Sequence, residues 1–257
     1  MAAAVPIAGD LVLARTDAGI ARLTLNDPAG ANVLSSAMMT ALGGALAAAK
    51  ADPAARVIVL DAAGRIFCPG HDLAELRADE DPARHQALFA QCSALMMQIV
   101  ASPKPVIAKV RGAAVAAGCQ LVASCDLAYA ETGSRFAVSG VNLGLFCSTP
   151  SVALSRAVGA KAALEMLMTG RFVGAPEAQA IGLINRAVAP EALDGVVDEA
   201  ATAIAAKDPA AIALGKSLFH RQLNAPLGEA YALAGDRMTE NMTFAGAKAG
   251  IDGFLKR

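Results

Sequence analysis

The chain has 257 residues, of which 55% are hydrophobic and 18% are charged, and its formal net charge at pH 7 is −1. This length allows one large domain, or one domain with an appendage, to bury a full core. The near-neutral charge and the lack of a basic block argue against a nucleic-acid partner. No apolar run reaches the ~18 residues of a membrane span, so we also predict no membrane partner.

Two features of the sequence bear on its compartment. The segment Met1–Pro6 lacks the positively charged start and the long apolar run of a secretory signal. The five cysteines form no C-x-x-C pair and have no metal-ligand spacing, which is typical of free thiols in a reducing environment. We therefore predict a cytoplasmic protein without a metal site, in which the cysteines pack in the interior rather than react.

The N-terminal half predicts a hairpin followed by helices that alternate with strands. The segments Leu11–Arg15 and Ile20–Asn26, on either side of Asp17-Ala18-Gly19, predict a β-hairpin, and the second has alternating apolar residues. Ser35-Ser36 can cap a helix that runs to about Lys50, and Asp81-Pro82 can begin a long helix. The all-apolar run Val57–Leu60 is typical of a strand covered on both faces of its sheet.

The stretch Arg111–Asp126 is rich in small residues at the point where a strand gives way to a helix. The strand is predicted over Pro105–Val110 and the helix over Cys119–Ser124, with small residues from Gly112 to Gly118 between them. The first N–H groups of a helix have no partners within it, so a helix start of this kind can stabilise negative charge. The alternative is that Gly and Ala here only allow helix and sheet to pack closely.

The second half of the sequence ends in helices. Short strands are predicted at Asp126–Ala130, Arg135–Val138 and Leu183–Val188, Thr149-Pro150 is a good helix start, and everything after Pro190 has a helical pattern. The sequence therefore predicts an α/β core over residues 1–190 and a helical region over residues 191–257. No G-x-G-x-x-G or G-x-x-x-x-G-K motif is present, which disfavours nucleotide-binding folds.

Three segments contain motifs that are similar to those of a known protein family. They are Phe67–Glu75 (FCPGHDLAE), Gly112–Asp126 (GAAVAAGCQLVASCD) and Phe136–Gly144 (FAVSGVNLG). In this order they resemble the enoyl-CoA hydratase/isomerase family, also called the crotonase family, and the similarity runs from about Ile20 to the C-terminus. The resemblance implies a crotonase-like α/β spiral of ββα units with a C-terminal helical region that mediates trimers, often paired into hexamers. It also implies an acyl-CoA thioester as ligand, with coenzyme A entering as part of the substrate and no separate cofactor.

The resemblance also implies which residues form the site. Family members bind the thioester oxygen with two backbone N–H groups, which correspond here to those of His71 and Ala117. The other positions that the resemblance places at the substrate, with the last two at the phosphate end of CoA, are Cys68, Gly70, Asp72, Leu73, Gly118, Asn142, Phe146, Phe254 and Arg257.

The chain departs from the family's hydratases at two catalytic positions. Those enzymes use two glutamates to position water and move its protons, and the corresponding residues here are Gln120 and Gly140. An amide and a hydrogen atom cannot act as general acid or base near neutral pH. The resemblance therefore implies an acyl-CoA enzyme that stabilises an enolate, and it disfavours hydration by the two-glutamate mechanism.

Two alternatives remain at this point. The Gly-His-Asp motif at Gly70–Asp72 and the run Val141–Gly144 are also similar to malonyl-type acyl-CoA decarboxylases of the same superfamily. The second alternative is a non-catalytic protein that binds CoA thioesters.

Three polar side chains of the predicted site each allow two interpretations. The His71 imidazole can act as a base, or only its backbone N–H matters. Gln120 and Asn142 can bind a substrate carboxyl group or a water, or they can satisfy nearby backbone groups. We expect neither Glu75 nor Glu131 to be the base, and we expect Asp126 to be structural.

Overall fold

The computed structural model describes residues 10–78 and 80–256. The segment Met1–Pro6 and the predicted CoA contact Arg257 therefore lie outside the described residues. Within the described part of the chain, no helix is long and apolar enough to cross a membrane.

Nine strands of the described chain form two sheets. The six strands of the main sheet are β1 (Val12–Asp17), β2 (Ile20–Leu25), β3 (Val57–Ala62), β4 (Val106–Val110), β6 (Leu127–Glu131) and β9 (Arg186–Val188). The three strands of the small sheet are β5 (Ala113–Val115), β7 (Arg135–Ala137) and β8 (Val173–Gly174). The main sheet has the order β1-β2-β3-β4-β6-β9 and the small sheet β5-β7-β8. All pairs are parallel except β1–β2 and β7–β8.

Helices cover the sheets and continue beyond the last strand. The first seven are α1 (Ser36–Ala51), α2 (Leu73–Ala78), α3 (Pro82–Val100), α4 (Ala117–Ser124), α5 (Ser148–Ala157), α6 (Ala160–Thr169) and α7 (Ala175–Ala180). The last four are α8 (Leu193–Ala205), α9 (Pro209–Gln222), α10 (Leu227–Met242) and α11 (Ala245–Leu255). Short 3₁₀ turns lie at Ser139–Leu143 and Pro190–Ala192. The chain thus repeats two strands and a helix, as in β4-β5-α4 and β6-β7-α5.

Several elements agree with the sequence-based predictions. The hairpin pairs Asp17 with Ile20 in antiparallel register. The Ser35 side chain accepts a hydrogen bond from the Met38 N–H and caps α1, and Asp81 caps α3 in the same way. These predictions succeeded because a cap acts within one turn of the chain.

Strand β3 is covered on both faces, as its apolar run predicted. Ile58 and Leu60 pack on one face in a cluster that includes residues of α1 and α3. Val57 and Val59 point to the other face, where they pack with residues of α8. The alternation of side chains along a strand explains this division between two clusters. Helix α8, which follows the predicted boundary, thus packs on the main sheet. The division of the chain into residues 1–190 and 191–257 stays a prediction.

Two boundaries differ from the prediction. Helix α4 begins at Ala117 rather than at Cys119, and the small residues before it include strand β5, which was not predicted. Helix α5 begins at Ser148, so Cys147 rather than Thr149 occupies its N-cap position. Strand β5 has only three residues and pairs with β7, more than twenty residues away in sequence, so local periodicity gives no signal for it.

Helices α9, α10 and α11 contain no buried residue. On α10 and α11 the exposed large apolar side chains are Leu227, Tyr231, Met238, Met242, Ile251, Phe254 and Leu255. Exposed apolar side chains in this number are typical of a surface that another protein covers.

Candidate functional site

The loop that follows β3 is attached to β5 by backbone hydrogen bonds. The Cys68 N–H donates to the Ala113 carbonyl at 3.1 Å, and the Val115 N–H donates to the Cys68 carbonyl at 2.9 Å. This pairing brings Phe67–His71 alongside the residues that lead into α4. Two of the segments that carry the family resemblance, far apart in sequence, therefore lie side by side.

Two glycines make the close approach of these segments possible. A Cβ atom on Gly118 would lie 2.0 Å from the carbonyl oxygen of Cys68. Gly70 has a φ of +105°, and a Cβ atom there would lie 3.3 Å from the Ala117 nitrogen. A residue with a side chain would therefore push the two backbones apart, and at Gly70 it would also be strained.

The N–H groups of His71 and Ala117 donate no hydrogen bond to another group within the described chain. Ala117 is the first residue of α4, so its N–H has no partner in its own helix. The preceding residue, Ala116, has a φ of 50°, and its own N–H donates to the Ala137 carbonyl at 2.8 Å. A non-glycine residue at positive φ is strained, and such strain is common where a backbone is held in place for function. Two free N–H groups, one of them at a helix start, can hold an oxygen that develops negative charge.

The imidazole of His71 is turned toward the segment before α1 and toward α3. Its Nδ1 lies 3.2 Å from the Leu34 carbonyl, and its ring meets the edge of the Phe89 ring at a centroid distance of 5.7 Å. The Nε2 atom is buried without a hydrogen-bond partner among the described residues. Burial lowers the pKa of His71, because the charged form loses its hydration. A neutral ring that donates from Nδ1 to Leu34 therefore leaves Nε2 as an unused acceptor.

Gln120 lies in the buried interior of the site. Its Oε1 is 3.9 Å from the Sγ of Cys92 on α3, the distance of a weak S–H hydrogen bond. The residue also lines a cavity of about 880 Å³. An amide at this position can donate and accept hydrogen bonds but cannot take up a proton near neutral pH.

At Gly140, neighbouring atoms occupy the space that a side chain would need. The Gly140 N–H donates to the Sγ of Cys147 at 3.3 Å, and the Gly140 carbonyl accepts from the Leu145 N–H at 2.9 Å. A Cβ atom would lie 2.8 Å from that sulfur, in the range of severe overlap. The loop has therefore closed around a glycine, and a glutamate does not fit into it without rearrangement.

The carboxylates closest in sequence to the site are engaged elsewhere. Asp72 accepts from the Ala74 N–H at 2.8 Å and so caps α2. Glu75 accepts from the Ser36 N–H at 2.8 Å, and Glu131 accepts from the Gly112 N–H at 3.1 Å. These hydrogen bonds agree with the expectation that neither glutamate is a catalytic base.

The prediction of free cysteines is confirmed. Burial raises the pKa of Cys68 and of Cys119 to about 12 and that of Cys92 to about 11. Burial also raises the pKa of Cys125 and of Cys147. The thiols are therefore protonated near neutral pH, which suits packing and not nucleophilic attack.

The remaining predicted contacts lie in different places. The Asn142 amide nitrogen is 3.5 Å from the Gly170 carbonyl at the end of α6, so this side chain holds the 3₁₀ turn against that helix. Leu73, Phe146 and Phe254 are exposed. Within the described residues, no group of three or more His, Cys, Asp or Glu side chains could hold a metal ion.

A cavity of about 880 Å³ extends from Gln120 between α3, α4, α5 and α9. The apolar side chains that line it include Met96, Met97, Val100, Val152, Ala153, Ile212, Phe219 and Leu223. A cavity of this size with mainly apolar walls is typical of a small-molecule site. That α9 forms one of its walls could not be predicted from the sequence.

Lys216 fastens α9 to the core at one end of this cavity. Its Nζ donates to the Asp126 Oδ2 at 2.6 Å, to the Ile99 carbonyl at 3.0 Å and to the Lys104 carbonyl at 3.3 Å. Asp126 also accepts from the Val106 N–H at 2.7 Å. Asp126 is thus structural, as predicted, but its lysine partner was not foreseen. The one signal in the sequence was a lysine on a helix face shared with Ile212 and Phe219.

The chain is similar to known proteins over almost its whole length. The profile of the family described as enoyl-CoA hydratase/isomerase matches residues 15–257. An enoyl-CoA hydratase structure from Mycobacterium smegmatis is 51% identical, with a TM-score of 0.94 and coverage of 96% of both chains. The structure of human enoyl-CoA hydratase domain-containing protein 3 is 43% identical, with a TM-score of 0.93 and coverage of 96% of this chain and 97% of that one. These similarities confirm the crotonase-like α/β fold.

The relatives also correct one prediction. Enoyl-CoA hydratase domain-containing protein 3 of Xenopus laevis is 43% identical over 96% of this chain and 84% of its own length. The name of that relative, like those of its rat and human counterparts, specifies a mitochondrial protein. The prediction of a cytoplasmic location is therefore wrong. It rested on free thiols and a missing secretory signal, which do not distinguish one reducing compartment from another.

Proposed function

Because the chain belongs to the enoyl-CoA hydratase/isomerase family, we propose that it binds an acyl-CoA thioester and stabilises the enolate of that thioester. The observation that carries this proposal is the pair of free N–H groups of His71 and Ala117. Both belong to backbone segments whose contact depends on Gly70 and Gly118. The thioester carbonyl oxygen accepts a hydrogen bond from each N–H group.

The two donors act most strongly on the enolate. When a group leaves the α-carbon of the thioester, the electron pair of the broken bond stays on the thioester and moves into the carbonyl. Negative charge then builds up on the carbonyl oxygen. Hydrogen bonds that are already in place lower the energy of this charged state more than that of the neutral thioester. Loss of one such donor typically costs about 3 kcal/mol of transition-state stabilisation.

The proposed chemistry does not use the two-glutamate hydration of classical family members. Gln120 cannot exchange a proton, and the space beside Gly140 contains the Cys147 sulfur. Asp72, Glu75 and Glu131 are engaged in hydrogen bonds to backbone N–H groups. A lyase or isomerase reaction that depends on enolate stabilisation fits these residues better than one that needs two carboxylates.

Decarboxylation of a malonyl-type thioester is the second candidate, and the engaged carboxylates favour it. In this reaction the bond between the α-carbon and the carboxylate breaks, CO₂ leaves, and the electron pair stays as the enolate. Water then supplies the proton that the α-carbon takes up. No side-chain base is needed for the bond-breaking step, so an oxyanion hole alone can promote it.

We also propose that the chain forms a homo-oligomer, either a trimer or a hexamer. The exposed apolar side chains of α10 and α11 support this, because a monomer would leave Leu227, Tyr231 and Phe254 in water. Light scattering coupled to size-exclusion chromatography gives the mass directly. A monomer at micromolar concentration would contradict the proposal.

The test of function is incubation with acyl-, enoyl- and malonyl-type CoA thioesters, with products followed by mass spectrometry. The matched variant is Ala117→Pro, which removes one N–H at the first position of a helix, where proline is best tolerated. Ala117→Gly keeps the N–H and serves as its control. We expect turnover of at least one thioester by the wild type and by Ala117→Gly, and a loss of about a hundredfold in Ala117→Pro.

A second measurement covers the case in which Ala117→Pro does not fold. A CoA thioether has a methylene group in place of the carbonyl, so it lacks the oxygen that the two N–H groups bind. The wild type should bind the thioester more tightly than the matched thioether. Equal affinity for the two would refute the oxyanion hole, and binding without turnover of any thioester would mean a non-catalytic binding protein.

A further inference from the structure

The cavity is lined by Gln120 and by Lys216, and helix α3 shows how far apart these two places are. Cys92, whose sulfur is 3.9 Å from the Gln120 Oε1, precedes the cavity residue Ser93 on α3. Two turns later on the same helix, Val100 lines the cavity next to Ile99, whose carbonyl binds Lys216. Seven residues of helix span roughly 10 Å, so the cavity leads about that far from Gln120.

Helix α5 runs along the same cavity. Its N-cap residue, Cys147, accepts a hydrogen bond from Gly140, so the start of the helix lies at the candidate site. Thr149, Val152 and Arg156 all line the cavity, at the spacing of one helix face. Arg156 is thus about two turns away from the Gly140 loop, beyond the apolar part of the wall.

The charges that line the cavity do not balance. Its residues include one carboxylate, Asp126, and two basic side chains, Lys216 and Arg156. The carboxylate is bound by Lys216 at 2.6 Å. The guanidinium of Arg156 donates to the Val152 carbonyl of its own helix at 2.9 Å, and among the described residues it has no carboxylate partner. Most of its five N–H donors therefore remain available to a ligand.

We propose that Arg156 binds a terminal carboxylate on the acyl chain, so that the favoured substrates are CoA thioesters of dicarboxylic acids. This inference rests on the proposed binding of acyl-CoA thioesters and specifies their acyl group. The thioester oxygen is held at His71 and Ala117, the methylene groups contact the apolar walls, and the far carboxylate pairs with the guanidinium. Planar carboxylates fit the fork of an arginine with two parallel hydrogen bonds.

The preference for a terminal carboxylate arises from its added attraction to Arg156, and not from any rejection of neutral acyl chains. Arg156 is exposed to solvent, so a neutral acyl chain leaves its guanidinium hydrated and loses little. A carboxylate at the right chain length gains the ion pair in addition to the apolar contacts. A charge-assisted hydrogen bond at such a site is expected to give a preference of about tenfold.

Calorimetric binding of matched pairs of CoA thioesters tests the proposal. Each pair has the same chain length and differs only in whether the acyl chain ends in a methyl or a carboxylate group. We expect the wild type to prefer the carboxylate form by about tenfold at its best chain length, and Arg156→Gln to lose this preference. Arg56→Gln, which removes an exposed arginine outside the cavity, is the control and should keep it.

The outcomes separate this inference from the proposed function. If the wild type binds both forms equally, or if Arg156→Gln keeps the preference, the dicarboxylic specificity is refuted while thioester binding stands. If the wild type binds neither form, the proposed function itself fails. Raising the salt concentration should reduce the preference of the wild type, since the contact is an ion pair at a partly solvated site.

Discussion

Gly118 lies so close to Cys68 that a Cβ atom on the glycine would stand 2.0 Å from the Cys68 carbonyl oxygen. That oxygen also accepts the hydrogen bond of Val115, so it cannot move without breaking the link between the loop and β5. The contact holds the segment of one N–H donor against the helix that carries the other. The identity of this glycine therefore controls the distance between His71 and Ala117.

Gly118→Ala should destabilise the protein and abolish thioester binding. The added methyl group forces two backbone segments apart, and overpacking of this kind costs about 2 kcal/mol. Urea denaturation measures the free energy of unfolding, and calorimetry measures the affinity for the thioester. Gly44→Ala is the matched control, because a Cβ atom at this helical glycine meets nothing within 4 Å. It should stabilise the protein by about 0.5–1 kcal/mol, and a similar gain in Gly118→Ala would contradict the close contact.

Lys216→Met should detach α9 from the core. The change leaves the Asp126 carboxylate, whose side chain is 18% exposed, without the ammonium group that binds it. Breaking a largely buried ion pair from one side costs about 3 kcal/mol. Hydrogen exchange should report faster exchange across Pro209–Gln222, and urea denaturation should report the lost stability.

The double variant Lys216→Met, Asp126→Asn separates the ion pair from general packing. An asparagine still accepts the hydrogen bond of Val106 but carries no charge, so the double variant should be more stable than Lys216→Met. Lys207→Met replaces an exposed lysine and should change the stability by less than about 0.5 kcal/mol. Equal effects of the changes at Lys216 and Lys207 would be incompatible with the contact to Asp126.

The elements that the sequence predicted well are those with local causes. The Ser35 cap, the Asp81 cap and the apolar strand β3 depend on neighbours within a few residues or on a repeating pattern. The family motifs predicted that His71 and Ala117 belong to one site, and the Cys68–Ala114 bridge brings their segments together. Fold class and the two principal loops were therefore accessible from the sequence.

The features that could not be predicted from the sequence depend on contacts between residues that are far apart in the chain. Lys216 binds Asp126 across ninety positions of the chain, and no local pattern marks such a pair. Ala116 adopts a positive φ without being glycine, so the start of α4 at Ala117 carried no signal. The packing of Cys147 against Gly140 is a matter of space, which residue types alone do not reveal.

Restoring glutamates should not restore hydration. In Gly140→Glu the new Cβ overlaps the Cys147 sulfur at 2.8 Å, so the 3₁₀ turn must shift and the protein should lose about 1–3 kcal/mol of stability. Hydration of a short enoyl-CoA, followed by the loss of its conjugated absorbance, should stay at background in this variant and in Gln120→Glu. Hydratase activity in either single variant would show that one carboxylate suffices and that the loop accommodates it.

The buried imidazole of His71 should make the stability of the protein fall in mild acid. Burial lowers the pKa of His71, whereas in the unfolded chain the ring takes up a proton near its ordinary pKa of about 6.5. Below that pH the unfolded state binds more protons than the folded state, so the stability decreases as the pH falls, until the folded ring is protonated as well. His71→Asn keeps a donor for the Leu34 carbonyl but does not titrate, and it should show a flatter profile of Tm against pH between pH 7 and pH 5. Above pH 8 the ring is neutral in both states, so the two profiles should run parallel there. A wild type and a variant with parallel profiles over the whole range would mean that His71 is not the buried neutral group.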